Sequence, residues 1–481
     1  MKATTVGGYE AGPGRPGPVT HNPFVRIAAD LRDEWRTRGR YPPGPTTVSA
    51  RRTYGIVHDP LSLLLGCYER YGPVFSTRLL HAKQVWMLGP EANQFILVGH
   101  PENFAWRQGS FADLIPLLGD GLLTIDGAYH DRARRVMMPA FHREQIEAST
   151  RTMVAEAERA VAGWRDGSVV DVYEWMRKLA MRIAMRALLG LDPDDGDHGA
   201  SAAYHFERAL AFYGTDAPVR VLRGPGTPWR RMVRSRAALD EILFTEIARR
   251  RADPDPSRLD ILSLLVCAED EDGSGLSDSE IRDQAITLMF AGHDTSTSTV
   301  TFLLYELAKS PEARAHLESE LDEVLVGSPP DAQRLHRELP YLETVMDETL
   351  RLYPPAWVGP RRAVRTFEFA GHEVPAGAYV NYCSWASHRL PDFFDEPEEF
   401  RPERFERERK TALPRGAYVP FGGGSRICIG KRFGQTEVKL VAAMLGQRFR
   451  LELPAGHEVT VRQMPTLGPR GGLPMTVRLR G

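Results

Sequence analysis

A long helical segment in the middle of the chain restricts the fold more than any other feature. Ser277 and Glu280 are spaced as in a capping box, an apolar helical pattern runs on to Leu307, and Ser310-Pro311 ends it. With a rise of about 1.5 Å per residue, a helix of this length crosses a whole domain. We therefore expect a mainly α-helical protein packed around one central helix.

Strand-like patterns are confined to two short stretches. Residues 73–88 and 361–382 alternate apolar and β-branched positions, which predicts small sheets beside the helices and an α+β class dominated by helix. Breaks rich in glycine, proline and acidic residues at 192–199, 224–228 and 269–275 predict loops between helices, not linkers between domains.

A single cysteine lies in a glycine-rich loop near the C-terminus. Residues 421–430 read Phe-Gly-Gly-Gly-Ser-Arg-Ile-Cys-Ile-Gly, and a helical pattern follows over 431–445. The glycines allow the backbone to turn tightly and to approach a flat macrocycle, which side chains would block. Gly430 and the start of the helix can direct N–H groups at Cys428 and stabilise a thiolate. A thiolate in this setting suits a haem iron, where it favours cleavage of the O–O bond of bound oxygen.

Two other residues of this loop would serve a haem. Phe421 can shield the sulfur from water, and Arg426 can reach a haem propionate through a charge-assisted hydrogen bond. We therefore predict haem b (iron protoporphyrin IX), with Cys428 as its axial ligand and the metal ligand of the chain. The other cysteines are interpreted as small buried hydrophobic residues: Cys67, Cys267 and Cys383.

The middle of the long helix interrupts its apolar pattern with polar residues. Positions 291–296 read Ala-Gly-His-Asp-Thr-Ser. Gly292 leaves room for oxygen beside the backbone, and Thr295 can turn its hydroxyl to the carbonyl of the preceding turn, which loosens the helix. Asp294 is placed to relay protons inward, and Thr295 to hydrogen-bond reduced oxygen so that one oxygen atom leaves as water.

These two segments carry a resemblance to a known family. Residues 421–430 match Phe-x-x-Gly-x-Arg-x-Cys-x-Gly and residues 291–295, from Ala291 onward, match Ala-Gly-x-Asp/Glu-Thr, so the chain resembles a cytochrome P-450 of the soluble bacterial type from about Tyr41 to its C-terminus. The resemblance implies the cytochrome P-450 fold, a large helical domain with a small β-rich region and haem between the central helix and the cysteine loop. His293 occupies the variable position of the motif and is expected to be a hydrogen-bonding helix residue.

The resemblance also implies roles for charged residues. Glu348 and Arg351 lie three apart on a helix that begins near Pro340, and with Arg404 they resemble the buried ion network that serves structure and haem loading. The family's partners of the haem propionates correspond here to His130, Arg134, Arg361 and Arg426. Most relatives carry tryptophan at the position of His130.

An apolar substrate pocket is a further implication of the resemblance. It favours a terpenoid, steroid, polyketide or fatty acid as substrate, and Arg107 could anchor the carboxylate of the last of these. Many of the same side chains could equally be ordinary core residues. The pocket residues expected are Phe104, Trp106, Phe111, Leu114, Ile115, Leu118, Phe290, Trp357, Val358 and Leu467.

The chain lacks motifs for supplying its own electrons. No flavin, nicotinamide or ferredoxin-type fingerprint is present, so we expect a separate ferredoxin or flavodoxin with its reductase. Arg132, Arg135, Lys431 and Arg432 are expected to form a basic patch on the cysteine side that attracts an acidic partner. A net charge of -2 gives no reason to expect nucleic acid as a partner, and a monomer is expected.

The chain is expected to divide into an N-terminal segment, 1–45, and one catalytic domain, 46–481. Residues 1–19 lack the apolar core of a signal peptide and no apolar run could span a bilayer, so no membrane anchor and a cytoplasmic location are expected. An amphipathic helix precedes the hinge Pro42-Pro43-Gly44-Pro45, and because acidic and basic residues mix on its polar side we expect it to pack on the protein body. Its apolar positions are Phe24, Ile27, Ala28, Leu31 and Trp35.

The predicted function is a monooxygenase that inserts one atom of O2 into a hydrophobic small molecule. Two alternatives within enzymes are a peroxide-driven haem-thiolate enzyme and a haem-thiolate isomerase, which need no external electrons. The pair Asp294-Thr295 argues against both, because it serves the protonation of reduced oxygen. A haem-based sensor without turnover is an alternative of another class, and the output segment that sensors normally carry is not recognised in the sequence.

Overall fold

The structure is a computed structural model that describes residues 16, 19–37, 40–196, 198–215, 217–255, 257–270, 273–326 and 330–480. The predicted N-terminal segment lies partly outside these residues. The helices are α1 (Pro23–Arg36), α2 (Ala50–His58), α3 (Pro60–Tyr71), α4 (Pro90–Gln94), α5 (Ile115–Leu118), α6 (Gly127–Met137), α7 (Arg143–Val161), α8 (Val172–Ile183), α9 (Gly199–Leu210), α10 (Ala217–Arg220), α11 (Pro228–Ala252), α12 (Ile261–Cys267), α13 (Asp278–Lys309), α14 (Pro311–Leu325), α15 (Ala332–Arg337), α16 (Pro340–Leu352), α17 (Ser384–Ser387), α18 (Arg407–Ala412) and α19 (Lys431–Arg448).

Short strands form four small sheets. They are β1 (Val74–Leu79), β2 (Ala82–Met87), β3 (Phe104–Ala105), β4 (Val169–Asp171), β5 (Val358–Ala363), β6 (Phe367–Phe369), β7 (His372–Val374), β8 (Tyr379–Cys383), β9 (Phe449–Glu452), β10 (Val461–Arg462), β11 (Gly468–Pro469) and β12 (Pro474–Leu479). The largest sheet has the order β1-β2-β8-β5-β3, β4-β12-β9 form a second, and β6-β7 and β10-β11 are antiparallel pairs. The mainly α-helical class with a small β region is therefore confirmed.

Helix α13 is the centre of the fold. The predicted capping box is present, because the Ser277 hydroxyl accepts from the backbone N–H of Glu280 and the Glu280 carboxylate accepts from that of Ser277. The helix packs against α8, α11, α16 and α19, which surround it with apolar side chains. Burial on all sides explains why its apolar pattern is nearly continuous and not confined to one face.

The positions of the sheets and loops follow the sequence closely. The stretch 73–88 folds into the hairpin of β1 and β2, and the stretch 361–382 forms most of β5, β6, β7 and β8. The predicted breaks at 192–199 and 224–228 separate helices, although α9 begins at Gly199 and α11 at Pro228. At 269–275 the described residues include a single bridge between Glu269 and Gly275.

Helix α1 packs on the protein body through its acidic face. Asp30 binds Arg362 at 3.1 Å and accepts from the Tyr379 hydroxyl at 3.0 Å, and Glu34 binds Lys83 at 3.4 Å. The helix therefore turns its acidic residues to side chains of the inner strands β2, β5 and β8 of the largest sheet. Its apolar stripe is left exposed at Phe24, Ala28, Leu31 and Trp35. Among the described helices, none is both long enough and apolar enough to cross a bilayer.

The interpretation of the three other cysteines is correct for two of them. Cys67 and Cys383 are buried, and burial raises the pKa of the Cys383 thiol to about 12, so it stays protonated. Cys267 is exposed at the end of α12, so the prediction that it is a buried hydrophobic residue is wrong. The helix places this last residue beyond the buried turn that holds Leu265 and Val266.

Candidate active site

A short accessible stripe interrupts the buried surface of α13. Between Ile281 and Leu307 every residue is buried except Ala291, Gly292 and Thr295. These positions share one helix face, because residues one turn apart lie above one another. The motif predicted to handle oxygen is therefore the part of this helix with accessible surface.

The hydroxyl of Thr295 binds within its own helix. It donates to the carbonyl of Ala291 at 2.6 Å, as expected, and α13 remains continuous through this turn. Thr299 repeats the same bond one turn later, donating to the Thr295 carbonyl at 2.9 Å. A side chain on Gly292 would approach the Leu188 side chain to 3.2 Å, so this glycine also allows close packing against the π-helical turn of residues 184–188.

Asp294 is buried next to two cations. Its Oδ1 lies 2.9 Å from Arg177 Nη1 and 3.2 Å from His293 Nδ1. Burial raises the pKa of Asp294, but the hydrogen bond and charge of His293 and the charge of Arg177 outweigh it and hold the pKa below its usual value. The carboxylate is therefore ionised near neutral pH.

The cysteine loop adopts a backbone that needs glycine. Gly422 and Gly424 have φ values of 70° and 60°, which L-residues rarely adopt, and a side chain on Gly424 would collide with the carbonyl of Leu97. The Cys428 N–H donates to the Phe421 carbonyl at 2.9 Å, which closes the loop.

Cys428 lies deep inside the protein and still keeps accessible surface, so it borders an internal space. Burial raises the pKa of its thiol, while the Gly430 N–H and the cations Arg134 and Lys431 act in the opposite direction. Helix α19 begins directly after this loop and packs against α13.

Buried cations gather around one indole ring. The Arg361 guanidinium lies 3.4 Å from the centroid of Trp106, and that of Arg426 lies 5.4 Å from it. Arg426 binds Asp126 at 2.9 Å, whereas no carboxylate of the described residues pairs with Arg361. Burial is the main cause that lowers the pKa of each arginine to about 10.

His130 and Arg134 share a face of α6. His130 is buried, and burial with the charge of Arg426 lowers its pKa to about 4, so the ring is neutral near pH 7. Its Nδ1 lies 3.0 Å from Asp131 Oδ1. Arg134 is half-buried and lies close enough to Cys428 for their charges to interact.

These residues fit a haem. A buried guanidinium without a carboxylate is costly, and a propionate would supply the missing anion at Arg361. The glycine loop leaves the Cys428 thiol accessible just before the N-terminus of α19, and a helix N-terminus stabilises a thiolate. The donor set is thus one thiolate for the iron and several cationic or neutral donors for the propionates.

The three residues of the predicted ion network are in contact. Glu348 binds Arg351 through two bonds of 2.7 and 2.8 Å, and Arg404 Nε lies 3.4 Å from Glu348 Oε1. Arg351 also donates to the carbonyls of Pro397 and Glu399. The Glu348–Arg351 pair is therefore satisfied inside the protein, as a buried ion pair requires.

The predicted pocket residues do not all lie together. Phe104 packs with Phe95 and Phe367 in a second apolar cluster, and Trp106 lies beneath the arginines. Leu118 and Leu467 have no accessible surface and cannot line a ligand space in this conformation. The predicted pocket residues that keep some accessible surface are Phe104, Trp106, Phe111, Leu114, Ile115, Phe290, Trp357 and Val358.

Two arginines are engaged differently from the sequence-based expectation. Arg107 binds Asp120 at 2.8 Å and the Thr124 carbonyl at 3.1 Å, so it is not free to anchor a substrate carboxylate. Arg132 turns to the start of α13, where it lies 3.5 Å from Glu280. Arg135 is 58% exposed, and Lys431 and Arg432 are exposed at the start of α19.

Sequence reasoning missed three charged residues that contact polar side chains of α13. Arg177 and Glu207 contact Asp294 and His293 from α8 and α9, and Glu437 accepts from the Ser296 hydroxyl at 2.5 Å. Burial raises the pKa of Glu437 to about 8. No local pattern could reveal these contacts, because the partners are more than 80 residues apart in the chain.

Comparison with known proteins agrees with the site. The sequence profile of the family described as cytochrome P-450 matches residues 42–471. Cyclooctat-9-en-7-ol 5-monooxygenase of Streptomyces melanosporofaciens is 34% identical over 440 residues, which cover 90% of this chain and 93% of that protein. Cyclooctatin synthase of the same organism is 36% identical over 366 residues, covering 75% and 79%.

Solved structures agree as well. The retinoic-acid-bound cyanobacterial CYP120A1 superposes with a TM-score of 0.82 at 29% identity, covering 92% of this chain and 99% of that one. The profile match and the two relatives lead to one assignment. This chain belongs to the cytochrome P-450 family.

Proposed function

We propose that this monooxygenase inserts one oxygen atom from O2 into a hydrophobic, terpenoid-like molecule, using electrons from separate redox proteins. The observation that carries the proposal is the accessible stripe of Ala291, Gly292 and Thr295 beside a buried, ionised Asp294. An acid and a hydroxyl at this place suit the delivery of protons to reduced oxygen.

The cofactor of the family is haem, which supplies the iron centre that activates dioxygen. Cys428 would hold it as a thiolate, with the Gly430 N–H and the N-terminus of α19 stabilising the negative charge. Phe421 would cover the sulfur. The propionates would be bound by His130, Arg134, Arg361 and Arg426, whose cationic or neutral donors surround Trp106 or face the cysteine loop.

In this proposal Asp294 and Thr295 are the catalytic pair. The Thr295 hydroxyl can release the Ala291 carbonyl, which it binds at 2.6 Å, and hold oxygen or a water molecule in its place. Asp294 passes protons inward from its buried position. The accessible faces of Ala291 and Gly292 leave the space that a small ligand needs.

We assign Glu348, Arg351 and Arg404 to structure and haem loading. Their bonds reach the segment 388–401, which precedes the cysteine loop in the chain. Removal of one partner would leave an unpaired buried charge, which typically costs about 3–5 kcal/mol. The proposal thus gives them no part in proton or electron transfer.

The choice of a terpenoid-like substrate has two supports. The relative names mention cyclooctat-9-en-7-ol and cyclooctatin, and they belong to proteins that this chain resembles over most of its length. The remaining pocket residues, among them Phe111, Phe290 and Trp357, are apolar. Because Arg107 is bound to Asp120, a fatty acid loses its expected anchor.

Electrons would enter on the cysteine side of the molecule. Arg135, Lys431 and Arg432 are exposed close in sequence to Cys428 or to Arg134 and would attract an acidic ferredoxin or flavodoxin. We retain residues 46–481 as a single catalytic domain, a monomeric state and a cytoplasmic location as parts of this proposal.

Replacement of the axial ligand tests the centre of the proposal. The reduced holoprotein under carbon monoxide should show the red-shifted absorption of a thiolate-bound haem, and Cys428→Ser should lose it because a hydroxyl is not an equivalent ligand. Cys267→Ser is the matched control, since that cysteine is exposed elsewhere and its loss should leave the spectrum intact. A thiolate spectrum that survives in Cys428→Ser contradicts the assignment.

Thr295→Ala should separate electron use from product formation. We expect the product formed per electron pair to fall about tenfold or more, because a positioned proton-transfer group contributes about 10²- to 10⁴-fold. Thr299→Ala is the control: it removes the same type of helix bond one turn away, from a buried position. Equal coupling in both variants and in the unaltered protein would refute the role of Thr295.

The substrate class can be measured by ligand-induced spin-state shifts of the ferric protein. A polycyclic terpenoid alcohol should produce a shift at lower concentration than a straight-chain fatty acid with the same number of carbon atoms. The physical reason is that the expected pocket is lined by apolar side chains, whereas Arg107 is paired with Asp120 and does not offer its charge to a carboxylate. Tighter binding of the fatty acid would reverse the assignment.

Charge reversal probes the docking of the electron donor. Arg432→Glu should lower the reduction rate by an acidic ferredoxin at low salt, and the difference should shrink as salt rises because exposed charges are screened. Arg478→Glu, in β12, is a control that also removes an exposed arginine. The proposed patch is wrong if the two variants are reduced equally fast at low salt.

A further inference from the structure

His293 stands at the one variable position of the oxygen motif and is fully buried. Two carboxylates lie within ion-pair distance of its ring, whereas the hydrogen bond that the ring forms within the described residues runs from Nε2 to the Arg177 carbonyl. Nδ1 lies 3.2 Å from Asp294 Oδ1, and Nε2 lies 3.1 Å from Glu207 Oε1 and 3.1 Å from the Arg177 carbonyl. A neutral helix residue would not need two carboxylates, so this contact pattern fits a positively charged ring.

Asp294 has only a few neighbours that can fix its carboxylate. Oδ1 is shared by Arg177 and His293, whereas Oδ2 is buried without a hydrogen-bond partner in the described part of the chain. Arg177 stays protonated at any pH the protein survives. His293 is therefore the one neighbour of Oδ1 whose charge can change.

Glu207 connects this buried group to the surface. Its carboxylate is 39% exposed and binds Arg177 Nη2 at 2.5 Å as well as His293. The chain of contacts from Glu207 through His293 to Asp294 joins α9 to the middle of α13. A change in charge at Glu207 is thus felt by Asp294 through one intervening ring.

We propose that His293 is a positioning residue which, as an imidazolium anchored by Glu207, fixes Oδ1 of Asp294 and leaves Oδ2 as the oxygen that exchanges protons. The proposal rests on the proton-relay role of Asp294 given above. It adds two residues, His293 and Glu207, that touch neither oxygen nor substrate. No proton is consumed, because His293 keeps its own while Asp294 transfers one.

The surrounding charges agree with a protonated ring. Burial lowers the pKa of His293, but the hydrogen bonds and charges of Asp294 and Glu207 overcome this and raise the pKa to about 9. The charged and titratable groups near the ring or near its partner Asp294 are Tyr173 and Arg177 of α8, Glu207 of α9, Asp294, Glu437 of α19 and Arg462 of β10.

The pH dependence has a definite sign. A raised pKa means that the imidazolium dominates well below about pH 9 in the unaltered protein, so the position of Asp294 should stay nearly constant from pH 6.5 to neutral pH and change only as the pH approaches 9. Glu207→Gln removes one of the two anions and moves the pKa of His293 down toward its usual 6.5. The ring then loses its proton between pH 6.5 and 8.5.

Two measurements test the proposal. The first does not need turnover: the His293 ring signal, identified by its loss in His293→Gln, is titrated by NMR in isotopically labelled holoprotein. We expect a midpoint near pH 9 in the unaltered protein and a lower midpoint, between pH 6.5 and 8.5, in Glu207→Gln. A midpoint that is the same in both proteins would overturn the anchoring by Glu207.

The second measurement is product formed per electron pair against pH. We expect a profile that is nearly flat up to neutral pH in the unaltered protein, a profile that falls from a lower pH in Glu207→Gln, and about a tenfold lower, flat profile in His293→Gln, a size typical for losing a group that orients a reactive one. His293→Lys keeps the positive charge and should recover most of the coupling. Uniform coupling in all four proteins would refute the inference.

Two control variants separate the role of His293 from titration of Glu437 and from the proton relay of Asp294. Burial raises the pKa of Glu437 to about 8, so Glu437 could also titrate in this pH range. We therefore expect the falling profile to persist in the double variant Glu207→Gln with Glu437→Gln. If the fall disappears in the double variant, the effect belongs to Glu437 and our proposal is overturned. Asp294→Asn tests the proton relay itself. If that variant stays coupled, the proposed function of Asp294 fails, whereas uncoupling by Asp294→Asn but not by His293→Gln rejects the role of His293 alone.

Discussion

The hydrogen bond from Ser296 to Glu437 joins the two helices on which the whole site depends. Helix α13 carries the accessible stripe at Ala291, Gly292 and Thr295, and α19 begins at the cysteine loop. At 2.5 Å this buried bond holds the middle of both helices in register, in surroundings where an unpaired polar group would cost about 1–3 kcal/mol. The packing of α13 against α19 therefore fixes the start of α19, where the cysteine loop ends, relative to the oxygen motif.

The chemistry around this frame is arranged by charge. On one side, Asp294 is surrounded by Arg177 and His293 and stays ionised in a buried place. On the other side, Arg361 and Arg426 are held near Trp106 with a single carboxylate, Asp126, between them. The excess of positive charge at Arg361 and Arg426 is suited to the anionic propionates of haem, which is the cofactor of the cytochrome P-450 family.

Part of the fold and of the site could be predicted because some features depend only on residues that are close in sequence. The capping box at Ser277, the glycines of residues 422–424 and the three-residue spacing of Glu348 and Arg351 each act within a few residues, so the sequence alone reveals them. Contacts across the fold could not be predicted in this way. Arg107 binds Asp120, and Leu118 and Leu467 are enclosed by residues from distant elements, so their exposure depends on the complete packing. Helix α1 shows the same limit, since its periodicity identified an apolar stripe but not which face would meet the sheet.

The attachment of α1 has a consequence for the behaviour of the protein in different buffers. Its acidic face is bound through ion pairs such as Asp30 with Arg362 and Glu34 with Lys83, whereas its apolar side chains Phe24 and Trp35 are turned outward. Added electrolyte weakens the first kind of contact and favours burial of the second. Ionic strength therefore weakens the attachment of this helix through its acidic face, in the opposite sense to its action on the apolar core.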